Sequence, residues 1–369
     1  METKTILLLG SDGYLGHYLT MKLENDGHAV VTLDSLRRRR LMEKYGMNSV
    51  IPYELNADII MDVQNYFGMK EVLKNVKPDV IVNLAQEQCP GLSMLNFEEA
   101  ADTQINNIKA ALSLYWAVKE IDYTIPIVQA GTLGEFGYEN PELVFDGQSF
   151  VDQGRMGTAS FYHISKNQIT LNSIYCSKIW GLNIIDIQQT IVEGAREGVP
   201  LYYDGIFGTV VNRLMTQAIT GEVLRYGTGN IRRSFLSLED SMEAFKTMIK
   251  NADKVEGYLS VNQFDPESVR SINELIDIVI REAHEYGLEP TVKNIPNPRI
   301  EKENNEVNVE FKILPSFGFK PKVTVEDEIK HSFPLLLEYK NNIHREKIMP
   351  PKFKGWEKPK KKIKVKSRL

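Results

Sequence analysis

A chain of 369 residues, 42% apolar, 25% charged and 9% aromatic, is long enough for two domains or one enlarged α/β domain and excludes a disordered or collagen-like protein. Its formal charge of −5 argues against a general nucleic-acid binder, and no run approaches the ~18 apolar residues of a membrane span, so neither nucleic acid nor a membrane is an expected partner. The two cysteines, Cys89 and Cys176, lie far apart without metal-ligand spacing, so no disulfide framework and no metal are expected, and a reducing, cytoplasmic setting is.

The chain enters the short run TILLLG at residue 5 without a basic leader, a long apolar stretch or a small-residue cleavage site, so no signal peptide is expected. TILLLG (5–10), HAVVTLD (28–34), VIVNLA (80–85), IPIVQAG (125–131) and LNIIDIQQ (182–189) read as strands buried on both faces. Longer helical patterns separate them, so the expected fold class is α/β, a Rossmann-type doubly wound parallel sheet with a smaller C-terminal α/β substrate-binding lobe. The expected division is a dinucleotide-binding domain over 1–190, with later returns near 232–264, and a lobe from 191–231 and 265–350. YYDGIFG (202–208) reads as loop, VVNRLMTQAITG (210–221) as helix, and YLSVNQF (258–264) as a strand returning to the main sheet. Residues 351–369 form a basic tail, read as a solvated or partner-touching extension. Ligands of such folds bind in the cleft beyond the carboxyl ends of the strands.

The first strand ends in GSDGYLG, placing Gly10, Gly13 and Gly16 at a strand-to-helix turn, with Asp12, Tyr14 and Leu15 between them. The first glycine permits a tight turn, the second a close approach of a pyrophosphate, and the third close packing of helix on strand, while the helix N-terminus offers N–H groups and a positive dipole end. Asp34 follows 18 residues past Gly16 at the end of the second strand, where a carboxylate accepts the ribose hydroxyls and repels a 2′-phosphate. NAD is therefore the expected cofactor, with Ser35 and Arg38 beside the ribose. Arg37, Arg38, Arg39 and Arg40 could instead hold a 2′-phosphate, or form a solvated turn. Asp62 and Val63 are placed to meet the adenine, Leu84 and Ala85 lie where a third strand passes the cofactor, and Gln189 follows the strand facing the nicotinamide.

YHISK puts Tyr162 and Lys166 at i and i+4, one turn apart on one helix face. A tyrosine hydroxyl of ordinary pKa ~10 becomes a usable acid/base when an ammonium and a nicotinamide cation stabilise its phenolate. Thr132 in GTLGEFG, just past the fourth strand, can hydrogen-bond a hydroxyl undergoing oxidation. This three-part arrangement resembles the extended short-chain dehydrogenase/reductase superfamily across the chain up to the tail.

Within that superfamily SFYHISK, YDGIFGTVVNR, LRYGTGNIRRSFLSLEDS, VNQF, IPNPRIE and the late IMPP are similar to the UDP-sulfoquinovose synthase family. That resemblance implies UDP-glucose and sulfite as substrates and NAD retained throughout. It implies oxidation of the sugar at C4, loss of water across C5 and C6, sulfite addition at C6 and return of the hydride. Tyr162 would take the C4 hydroxyl proton, with Lys166 tuning it and Thr132 sharing the hydroxyl. Glu135 and His163 are the candidates for the further acid and base, each with an alternative structural reading, as a first-turn helix residue and a buried histidine. Arg233 and Arg299 match the diphosphate-binding positions, and Thr209, Asn212 and Arg213 in FGTVVNR would help hold the nucleotide. In NLAQEQCPGLSM, Gln88 stands where the plant-type pattern leads one to expect an arginine, leaving Gln86, Gln88 and Ser93 as neutral donors for sulfite.

The alternatives are a UDP-glucose 4-epimerase, a 4,6-dehydratase, or a non-catalytic NAD-binding scaffold with the tail as its arm. Leu133 and Gly134 after Thr132 speak against the Asp and Glu pair of a dehydratase, and the Thr132, Tyr162 and Lys166 set speaks against a scaffold. A homodimer is expected from the apolar stripes of the helix over 96–121 and the helix carrying Tyr162.

Overall fold

Seven runs rich in isoleucine, leucine and valine take up extended backbone because branched apolar side chains suit a pleated, buried surface. They are β1 (Thr5–Leu9), β2 (Ala29–Asp34), β3 (Ile59–Ile60), β4 (Val80–Asn83), β5 (Ile127–Thr132), β6 (Ile184–Gln189) and β7 (Tyr258–Gln263). All pair in parallel in the order β3-β2-β1-β4-β5-β6-β7, and the short strand Val144–Phe145 adds antiparallel to β7 at the edge. The structure is a computed structural model that describes residues 3–135, 139–140, 144–145, 159–299 and 307–357. The sheet is the doubly wound Rossmann-type arrangement expected from the strand pattern. The stretch YLSVNQF does return to it, Tyr258 to Gln263 running alongside Ile184 to Gln189.

Alternation along the strands divides the core. On one face Ile6, Leu8 and Val82 meet α1 (Tyr14–Asn25) and the helix Leu238–Lys250 through Leu19 and Phe245. On the other, Leu7, Leu9 and Ile127 meet α2 (Phe97–Ile121) through Leu114 and Tyr115, and α3 (Phe161–Trp180) joins the same layer. Each such fully buried leucine contributes roughly 1.5–3 kcal/mol. The ends of α3 are set by local chemistry: the Ser160 hydroxyl accepts from the His163 N–H, and Gly181 closes the last turn in the left-handed region at φ 69°.

A third core, with Tyr203, Leu214, Phe235, Leu275 and Phe333, lies between α4 (Val210–Ile219), α5 (Ile272–Glu285) and α6 (Val325–Glu338), and Val50 and Ile51 from between β2 and β3 also pack in it. Farther along, Phe353 and Trp356 are buried with Met94, so the stretch from 351 is anchored before its most basic part, which lies outside the described residues. Among the described residues no helix is long and apolar enough to cross a membrane.

Because Leu9 pairs with Asn83 and Thr132 with Gln189 and, beyond it, Gln263, the carboxyl ends of these strands form one rim. The chain reverses its winding between β1 and β4, and a crevice opens there.

Candidate active site

The turn after β1 is built around two close approaches. Gly10 sits at φ +84°, and a Cβ on it would lie 2.5 Å from the Leu84 carbonyl carbon. A Cβ on Gly16 would overlap the Gly10 carbonyl oxygen, so α1 can pack this tightly against the turn only through glycine. Gly13 is the N-cap of α1 and no side chain caps the helix, leaving its positive end facing the crevice. Gly10, Gly13, Tyr14, Leu15 and Gly16 border one cleft together with Asp34, Ser35, Arg38, Asp62, Val63, Leu84, Ala85, Tyr162, Lys166 and Gln189. Of the expected cofactor residues, Asp12 alone does not border it. Its carboxylate is turned to Arg39, with Nε at 2.5 Å, and it accepts from the Asn56 N–H at 3.1 Å.

The Asp34 carboxylate is ordered by the N–H groups of Asp12 and Leu36 at 3.0 and 2.6 Å, and burial raises its pKa despite them. The run of four arginines is neither a solvated turn nor a ready phosphate cradle. Arg37 meets Asp102 at 2.6 Å, Arg38 meets Glu87 at 2.8 Å, Arg39 holds Asp12, and Arg40 donates to the Ser35 carbonyl at 2.6 Å. Arg38 also lies over Phe207, 4.4 Å from its ring centroid. A carboxylate at the end of β2 and arginines already paired within the protein fit NAD. Sequence reasoning did not find Glu87, which also borders the cleft; its partners Arg37 and Arg38 lie about 50 residues away, and only the fold brings them together.

Across the cleft α3 presents Tyr162 and Lys166. The Tyr162 N–H donates to the Ser93 hydroxyl at 3.1 Å, and Lys166 Nζ donates to the Ala130 carbonyl at 2.5 Å and to Gln86 Oε1. Nζ lies 5.8 Å from the Tyr162 ring centroid. Burial, reinforced by the charge of Glu135, pushes the phenol well above its usual range, and a hydrogen bond with Thr132 opposes this. Lys166 is pulled down to about 8, chiefly by burial. The phenol is thus held as an acid by the protein alone, and Lys166 does not by itself offset the burial.

His163 receives a hydrogen bond at Nδ1 from, or gives one to, the Ser160 hydroxyl at 2.9 Å, and its Nε2 lies against Gly134, 2.5 Å from where a Cβ would stand. Burial, then the charges of Arg299, Arg233 and Lys166, lower its pKa to about 3. Both arginines expected at the diphosphate thus act through their charge on the ring that follows Tyr162. Arg299 also lies 5.5 Å from the Trp356 ring centroid.

Other expected residues are placed differently. Glu135 is not among the residues that border the cleft: it is fully buried, with its carboxylate accepting from the Thr170 hydroxyl at 2.6 Å. Ser93 is fully buried and orients Tyr162, leaving Gln86 and Gln88 as the neutral donors at the cleft. Asn212 accepts from the Gly194 N–H at 3.1 Å, Arg213 bonds the Tyr226 hydroxyl, and Thr209 is the N-cap of α4; these three, like Thr132, His163, Arg233 and Arg299, are not among the residues that border the cleft.

The cleft and the glycine turn stand at the carboxyl ends of a doubly wound parallel sheet, the arrangement that binds dinucleotides. Residues 6–262 match the NAD dependent epimerase/dehydratase family, and the chain belongs to it. NAD is its cofactor. Within the extended short-chain dehydrogenase/reductase superfamily the chain is 34% identical to the UDP-sulfoquinovose synthase of Sulfolobus acidocaldarius, covering 96% of this chain and 98% of that one. It is 27% identical to the chloroplastic UDP-sulfoquinovose synthase of Spinacia oleracea, covering 94% and 78%. The fold is similar to that of the UDP-glucose 4-epimerase of Thermus thermophilus in complex with NAD, with TM-score 0.66 and 20% identity, covering 90% of this chain and 98% of that structure.

Proposed function

We propose that the chain is a UDP-sulfoquinovose synthase, converting UDP-glucose and sulfite to UDP-sulfoquinovose and water. The observation that carries this reading is the 34% identity to the archaeal synthase over 96% of this chain and 98% of that one. Bound NAD supplies the acceptor for the hydride on sugar C4 and the source from which it returns. Tyr162 takes the proton of the C4 hydroxyl, Thr132 holds that oxygen, and Lys166 supports the phenolate. The C4 ketone acidifies the C5 proton. His163, kept neutral by burial and by Arg233 and Arg299, takes that proton and gives it to the departing C6 hydroxyl, which leaves as water. Sulfur of bisulfite then bonds to C6 of the enone, the proton that bisulfite loses passes by way of His163 to C5, and Tyr162 returns its proton to the C4 oxygen.

Arg233 and Arg299 hold the UDP diphosphate, since a guanidinium fork suits bidentate phosphate contact. Gln86 and Gln88, which border the cleft, give sulfite neutral donors, Gln88 standing where an arginine was expected. Asp34, Ser35 and the glycine turn hold the adenosine end of NAD, with Asp62 and Val63 at the adenine.

The test is optical. UDP-glucose without sulfite should bring up the absorbance of reduced cofactor on the protein, and sulfite should discharge it. In Tyr162→Phe that reduction should vanish, a loss of at least about 100-fold for a missing acid/base; reduced cofactor forming at the wild-type rate in this variant would refute the assigned role.

The same reading includes a homodimer. Exposed Ile105 and Trp116 on α2 and Leu171, Tyr175 and Ile179 on α3 leave two adjacent helices with apolar outer faces. A second copy presenting the same pair makes a self-complementary partner.

A further inference from the structure

Behind Lys166 lies a buried knot of acids that the proposed chemistry does not use. Glu135 ends the single 3-10 turn after β5, Asp186 lies on β6, and Thr170 stands one helical turn beyond Lys166 on α3. Glu135 and Asp186 are 0% and 1% exposed. The Thr170 hydroxyl is 2.6 Å from Glu135 Oε2 and 3.3 Å from Asp186 Oδ2, and the Tyr258 hydroxyl on β7 donates to the same Asp186 oxygen at 3.1 Å. Glu135 Oε1 and Asp186 Oδ1 have no hydrogen-bond partner among the described residues.

A hydroxyl carries one proton. Set between two ionised carboxylates, Thr170 could donate to only one, and its other contact would oppose lone pair to lone pair. With one carboxyl protonated both contacts become hydrogen bonds: the hydroxyl donates to the ionised acid and accepts from the protonated one. The charge balance agrees. Lys166 is the cation whose field both acids feel, and two carboxylates against one ammonium would leave a net charge buried. Burial drives Glu135 up to about 8 and Asp186 upward, Asp186 reinforces the rise in Glu135, and the ammonium opposes both shifts. The other titratable groups facing the knot are the phenols of Tyr115, Tyr162 and Tyr258.

We propose that Glu135 and Asp186 share a single proton through Thr170 and act together as one negative counter-charge that positions Lys166 and keeps it cationic. They are positioning residues, acting on the hydride step through the lysine. This rests on the Tyr162 and Lys166 roles given above.

The test is a set of neutral isosteres in the full-length protein. In Glu135→Gln the lone Asp186 ionises, and in Asp186→Asn the lone Glu135 does, so each keeps one charge; reduction of bound cofactor by UDP-glucose should fall by no more than about threefold in either. The double variant has no counter-charge, and loss of an adjacent opposite charge lowers the lysine pKa by about 1–3 units, so its alkaline limb should move down by that amount and its rate near neutrality should fall about 10- to 100-fold. A single variant that falls as far as the double, or a double variant with an unmoved alkaline limb, overturns the proposal. Infrared spectra of wild type and the two single variants decide it without substrate and without the double variant. Each single variant should lack one buried protonated-carboxyl band that wild type shows, and unchanged bands would overturn it. If UDP-glucose fails to reduce the wild-type cofactor, the functional reading falls while the infrared result still reports on the shared proton.

Discussion

Tyr162 and His163 are adjacent in sequence and answer oppositely to burial. Burial raises the phenol because it penalises the phenolate, and lowers the imidazole because it penalises the imidazolium. Arg233, Arg299 and Lys166 push the imidazole the same way, so its proton leaves as pH rises through about 3 and the ring is neutral across pH 5 to 8. The expected outcome is that the His163 ring resonances stay fixed over that range in NMR spectra; a titration near the ordinary 6.5 would show that burial and the neighbouring charges do not hold the ring neutral. The residues proposed for the chemistry rest on local signals at this scale: Tyr162 and Lys166 stand a turn apart, and Thr132 ends a strand. The surroundings do not. Burial of Glu135 against Thr170, use of Ser93 to orient Tyr162, and Asp12 turned to Arg39 all depend on contacts between residues about 27 to 69 positions apart, of which local spacing carries no trace.

At the scale of elements, the turn from β1 into α1 determines whether a dinucleotide fits. A methyl on Gly16 has no space beside the Gly10 carbonyl, so Gly16→Ala forces the helix off the strand at a cost of about 1–3 kcal/mol. Purified Gly16→Ala protein should contain far less than one NAD per chain on denaturing extraction, and full occupancy would contradict the cradle described for this turn. The strands themselves were readable from their runs of branched apolar residues, since a strand buried on both faces needs little else to specify it. The lobe was harder to read. Val50 and Ile51 join its core from within the first half of the chain, and Asn212 and Arg213 on α4 turn to Gly194 and Tyr226, pairings set by packing between segments.

For the whole molecule, α2 and α3 leave Trp116, Leu171 and Tyr175 41%, 51% and 58% exposed on one outer layer. Light scattering should give twice the 42.1 kDa chain mass at micromolar concentration, and a monomer at that concentration would refute the dimer. The larger claim is that hydride leaves and returns within one turnover while the sugar exchanges a C6 hydroxyl for a sulfonate. Mass analysis of the nucleotide sugar formed from UDP-glucose and sulfite by the purified protein tests it most directly. The product should be heavier than UDP-glucose by one sulfite less one water, and a product of unchanged mass carrying galactose would contradict the proposed function.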